Sequence, residues 1–146
     1  MEILIDNRQN KRRILEKKIK QTAKVILSAL GCPDGELSIL IVDDFQIEEL
    51  NRSYLNRSGP TNVIAFPMRE GEFSNITPRL LGDVVISLET AMREGKLAKI
   101  SMEDRFDQLL IHGILHLFGY DHEKSKEEAD KMGKKSNELL GVLKRC

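Results

Sequence analysis

Residues 101–122 read SMEDRFDQLLIHGILHLFGYDH, and this stretch decides the architecture. Ser101-Met102-Glu103-Asp104 resembles a capping box, with Asp in place of the usual Glu, and opens a long apolar helix. The apolar run continues to Leu117 or Phe118, and Gly119 falls at the left-handed position that closes a helix. A helix this apolar is expected at the centre of the fold rather than on its surface.

Upstream, Gly82–Leu88 (GDVVISL) reads as a strand, with a helix following from about Leu88 to Leu97. Asn62–Phe66 (NVIAF) reads as another strand, closed by Pro67, and residues 69–79 read as a polar connection between the two. Leu37–Val42 (LSILIV) is apolar enough to sit inside a sheet. After it, Ile47, Leu50 and Tyr54 recur at helical spacing, with Asp43 or Asp44 as N-cap. Glu2–Asp6 suits a first strand. From Asn10 onward Leu15, Ile19, Ala23, Ile26, Leu27 and Leu30 mark a helix that Gly31 and Pro33 terminate. Downstream of the central helix, Ser125-Lys126-Glu127-Glu128 is a second capping box, opening a charged helix from about Lys126 to Leu140. Strands at 2–6, 37–42, 62–66 and 82–88, interleaved with helices, predict an α/β or α+β fold. The expectation is one domain over residues 1–146. Its four-stranded sheet is mostly parallel or mixed and is packed by about five helices, with the apolar one central.

Composition narrows the function. The chain has 146 residues, 40% apolar and 32% charged, a globular balance. Its 23 basic and 23 acidic residues cancel, so no global positive field marks a nucleic-acid binder. Aromatic content of 5% without Trp argues against a platform for stacking bases. Cys32 and Cys146 make no disulfide framework. The absence of a long apolar segment predicts no membrane association and a cytoplasmic protein. One local asymmetry stands out: Arg8, Lys11, Arg12, Arg13, Lys17, Lys18, Lys20 and Lys24 face only Glu16. That block reads as a solvated helix face or as a phosphate-contacting surface.

All three histidines of the chain fall within residues 112–122. His112 and His116 are one helical turn apart on one face, so their rings can take adjacent corners of a tetrahedral metal site. Gly119 lets the chain double back, and His122 can then supply a third corner. The spacing H-x3-H-x5-H, with Gly between, is the ligand spacing of the H-E-x-x-H-x-x-G-x-x-H zinc enzymes. A zinc protease, however, needs Glu directly after the first His as general base, and here that residue is Gly113. Asp121 belongs to the loop, and Met132 lies in a charged helix rather than a tight turn. Three neutral imidazoles leave a zinc ion its full +2 charge and an open position. Such a site lowers the pKa of water from 15.7 to about 7 and stabilises charge on a phosphoryl oxygen. The charge favours phosphoryl chemistry over peptide hydrolysis.

His112-Gly113-Ile114-Leu115-His116-Leu117-Phe118-Gly119-Tyr120-Asp121-His122 resembles the H-G-x-x-H-L-x-G-Y-D-H signature of the YbeY family of bacterial rRNA-maturation metallo-endoribonucleases. Pro60-Thr61-Asn62-Val63-Ile64-Ala65-Phe66-Pro67 resembles that family's P-T-(D/N)-V-L-S-F-P, and Leu81–Ser87 resembles its L-G-D-(I/L)-V-I segment. The resemblance implies that His112, His116 and His122 hold one divalent metal, Zn2+ or another, per chain. It implies single-stranded ribosomal RNA as substrate, cleaved in maturation and quality control of the small ribosomal subunit. The family's Arg after L-N-x-x-Y is Leu55 here, leaving Arg57 and Arg52 as the residues that can take its place. Arg57, Lys17, Lys18 and Lys20 are the expected RNA contacts. The nucleophile stays open between an activated water and the RNA's own 2′-hydroxyl, and no general base is assigned. The alternatives are a metallohydrolase of another substrate and a non-catalytic ribosome-associated factor with a structural zinc. Asp83, following Gly82, is expected in a capping or turn role, and Thr61 and Asn62 near the metal loop.

Overall fold

The computed structural model describes residues 3–59, 61–68 and 80–145. In chain order the elements are β1 (Ile3–Asn7), α1 (Glu16–Ala29), β2 (Glu36–Val42), α2 (Asp44–Leu55) and β3 (Val63–Pro67). β4 (Leu80–Ser87), α3 (Leu88–Ala98), α4 (Met102–Leu117) and α5 (Lys126–Lys144) complete the fold. The sheet order is β1-β2-β4-β3, with β1, β2 and β4 parallel and β3 antiparallel to β4 at the edge. This is the mixed alternative of the expected sheet, with the expected five helices.

Alternation along the strands divides the apolar residues between two faces. Ile3, Leu37, Ile39, Ile41, Val84 and Ile86 pack under α1, α3, α4 and α5. Val42, Ile64 and Val85 face the other way, joined by Leu40 and Phe66, and meet Ile47 and Leu50 of α2. α4 packs on β3, β4 and three other helices, so it is central, as its apolar character requires.

Local signals set most boundaries. Asp43 accepts from the Gln46 amide at 2.9 Å while the Gln46 side chain accepts from the Asp43 amide at 3.0 Å, a reciprocal capping box. Ser101 and Ser125 cap α4 and α5 by accepting from Asp104 and Glu128 amides. Gly31 and Gly119 take positive φ just past α1 and α4.

Three differences have physical causes. α1 begins at Glu16 rather than near Asn10, because the Gln9 side chain organises the preceding loop. It accepts from the Lys11 and Arg12 amides and donates to the Arg12 carbonyl and Asn7 Oδ1. Arg8, Lys11, Arg12 and Arg13 therefore lie before the helix. α5 runs on to Lys144, since Leu140 and Leu143 extend its packing against the core. β4 begins at Leu80, so Asp83 lies within the strand opposite Phe66 and Ser38 and has no capping role. The positive φ of Gly82 accompanies a register shift there, and a Cβ at this position would collide with the Phe66 carbonyl. The polar connection 69–79 and Cys146 lie outside the described residues.

Candidate metal centre

α4 supplies two of the three histidines. His112 and His116 project from one face, their Nε2 atoms 3.1 Å apart. Past Leu117 the helix reverses: the Gly119 amide donates to the His116 carbonyl and the Tyr120 amide to the Leu115 carbonyl. The Glu123 amide then donates to Asp121 Oδ1 at 2.9 Å, tightening the turn that carries His122. As a result the His122 ring centroid lies 5.2 Å from that of His112 and 5.5 Å from that of His116.

One nitrogen from each ring lies within 4.8 Å of the others. Two nitrogens bound at about 2.0–2.1 Å in a tetrahedral site sit roughly 3.4 Å apart, so the His112–His116 pair already has a suitable spacing. Burial, then the neighbouring His116 and His122, lowers His112 to about 4. Burial and His122 also push His116 down. Imidazole binds metal only as the neutral ring, so these shifts keep ligands available at pH 7. The donor set fits a divalent ion. Among the described residues no fourth His, Cys, Asp or Glu joins the group, and Cys32 lies beside Gly35, near the start of β2. A closed structural site with a cysteine ligand is therefore not assembled among these residues.

The histidines form the floor of an open cleft of about 640 Å³. Edge strand β3 is one wall, through Val63, Ile64 and Ala65, and the Tyr120–Lys124 turn is another. Leu55 and Arg57 line the cleft, whereas Arg52 is absent from its lining and pairs with Glu49 at 3.6 Å on α2. Thr61 and Asn62 both line it. The Asn62 amide donates to the Glu94 carboxylate at 3.3 and 3.4 Å, and Arg105 holds that carboxylate through Nε at 3.0 Å. This chain joins the residue before β3 to α3 and α4 across 32 and 11 residues of sequence, and no local motif announces it. Lys17 and Lys18 lie elsewhere, lining a groove between α1, α4 and α5 with Asp104 and Asp107. Lys20, also on α1, is not among the lining residues of the histidine cleft.

Gly113, the position of the missing protease glutamate, is buried against the sheet. A Cβ there would lie 2.5 Å from Val84 Cγ1 and 3.2 Å from Val63 Cγ2. Gly113 lines the cleft at the point where α4 rests on β4, and a side chain there would press on Val84.

Known proteins resemble the chain over nearly its whole length. The family model described as "Endoribonuclease YbeY" matches residues 4–144. The Geobacter metallireducens protein named "Endoribonuclease YbeY" is 48% identical, covering 99% of this chain and 97% of the relative. A protein of the same name from Aquifex aeolicus is 44% identical, covering 93% of this chain and 89% of the relative. The solution structure of a Thermotoga maritima protein superposes with a TM-score of 0.67 at 25% identity, covering 96% and 87% of the two chains.

Proposed function

Because this chain belongs to the Endoribonuclease YbeY family and is accordingly an endoribonuclease, we propose that it cuts single-stranded ribosomal RNA in maturation and quality control of the small ribosomal subunit. His112, His116 and His122 would hold one Zn2+, or another divalent ion, per chain. The observation that carries this reading is the convergence of three histidine nitrogens at the floor of a cleft that also presents Arg57 and Lys124.

When bound, the ion supplies an uncompensated +2 charge that polarises a phosphoryl oxygen and acidifies water near pH 7. The protein's own side chains supply position. Arg57 and Lys124, with no ion-pair partner among the described residues, would attract the phosphates of RNA entering the cleft. Asn62, held by Glu94, offers its carbonyl oxygen beside His112.

In the described residues no helix is long and apolar enough to cross a membrane. With its free Cys32, the protein is assigned here to the cytoplasm, where ribosomes mature. The test is removal of metal by a chelator, followed by zinc addition, with cutting of single-stranded and duplex RNA compared. Loss and return of cutting on single strands alone supports the reading. Metal retained without any cutting, even on small-subunit RNA, favours a non-catalytic ribosome-associated factor. The ends produced separate the nucleophiles: a 2′,3′-cyclic phosphate comes from attack by the RNA's own 2′-hydroxyl.

A further inference from the structure

The open space around α4 continues beyond the histidine cleft. A second cavity of about 330 Å³ lies between α4 and α5, and both Asn62 and His112 line the two cavities in common. Its size falls at the lower end of the range for small-ligand sites, ~300–1,000 Å³. We propose that this second cavity is a nucleotide subsite, taking the base and ribose next to the scissile phosphate. The proposal rests on the ribonuclease reading of the histidine cleft.

Charge indicates which part of a nucleotide fits. Among the described residues the one Arg or Lys lining the second cavity, Arg105, is neutralised internally. Its guanidinium bonds Glu94 at 3.0 and 2.9 Å and Gln108 Oε1 at 2.7 Å, and its side chain is 26% exposed. A phosphate would find no free positive charge there and would approach the Glu94 carboxylate. The histidine cleft is the opposite, with Arg57 and Lys124 unpaired among the described residues. Phosphate therefore belongs in the first cavity and an uncharged group in the second.

Hydrogen-bonding groups match that division. Asn62 spends its Nδ2 on Glu94, which leaves Oδ1 as an acceptor at the junction. Ser136 and Asn137 of α5 line the same cavity, and their side chains make no hydrogen bond among the described residues. Together these groups offer both donors and acceptors, as the edge of a base and a ribose hydroxyl require. Leu140 contributes an apolar wall against which a base can lie flat.

Ser136→Leu fills the cavity, and Asn137→Ala removes one polar group from an exposed position that the fold does not depend on. Binding of a fluorescein-labelled single-stranded 2′-fluoro phosphorothioate decamer to the zinc-loaded full chain is measured by anisotropy. Cutting of the corresponding RNA is measured in parallel, with melting temperature and zinc content as controls. Affinity is expected to fall roughly fivefold for Asn137→Ala and roughly tenfold for Ser136→Leu, with zinc content unchanged. Equal affinity in all three proteins overturns the subsite. If the wild type cuts RNA while affinity is insensitive to both changes, the subsite falls and the nuclease reading stands. If affinity falls in the variants but the wild type cuts nothing, the cavity binds a nucleotide but not beside a scissile phosphate, and the catalytic reading falls.

Discussion

Gly113 of α4 lies against Val84 of β4 so closely that an added methyl group would sit 2.5 Å from Val84 Cγ1. This contact explains why a zinc-protease spacing of histidines occurs without the protease's glutamate. A side chain on the residue after the first histidine would start against the sheet, so the close approach of helix to strand favours glycine there.

Gly113→Ala is accordingly expected to destabilise the fold. Overpacking costs about 1–3 kcal/mol, and the better helix propensity of alanine returns at most about 1 kcal/mol. Denaturant unfolding should show a net loss of about 1 kcal/mol. An equal or higher midpoint would mean that β4 yields and that the glycine has another purpose. Gly113→Glu should unfold the protein rather than confer peptide hydrolysis.

Arg57 and Arg52 should separate cleanly. Arg57→Ala is expected to weaken binding of single-stranded RNA and to lower the slope of log K against log salt by about 0.7, the value for one phosphate contact on a single strand. Arg52→Ala, whose partner is Glu49, should leave both unchanged. The reverse pattern would assign the phosphate contact to α2 itself.

The basic face of α1 makes a separate claim. Reversing Lys17, Lys18 and Lys20 to Glu should flatten the salt dependence of RNA binding if RNA extends from the histidine cleft over α1. An unchanged slope rules that surface out. A steep fall in affinity with the site variants intact would indicate that RNA wraps around the α1 and α4 side of the molecule.

Asp107 gives the fold a pH dependence of known sign. Burial pushes its carboxyl up to about 6; Lys18 opposes this, while Asp104 and Glu103 add to it. Between the ordinary value of 3.8 and about 6 the folded state holds a proton that the unfolded state has released. Stability from this group therefore falls as pH rises through that window, and the penalty is complete above it. Asp107→Asn should melt higher than the wild type at pH 7.5, and the two should converge near pH 4. A difference independent of pH would assign the effect to packing.

Much of this architecture was legible because it is written locally. The caps Asp43, Ser101 and Ser125, the glycines after α1 and α4, and the alternation in β2 each depend on residues a few positions apart. The histidine triad was legible for the same reason, since one helix and one turn hold all of it. Features built across the sheet were not. The antiparallel setting of β3, the shift at Gly82 and the Asn62–Glu94–Arg105 chain join residues that only the fold brings together. The start of α1 is not written in the helical spacing either, because Gln9, a single side chain, satisfies four polar groups and holds the basic residues in a loop.

The most direct measurement is cutting of a single-stranded RNA by the zinc-loaded protein beside His116→Ala, purified identically. His116 is one of the two histidines of the triad on α4, so its loss should lower zinc content below one per chain and abolish cutting, while the fold, whose core it does not join, persists. Cutting by the wild type alone is the expected result. Equal cutting by both proteins would contradict the assignment of the reaction to the three histidines.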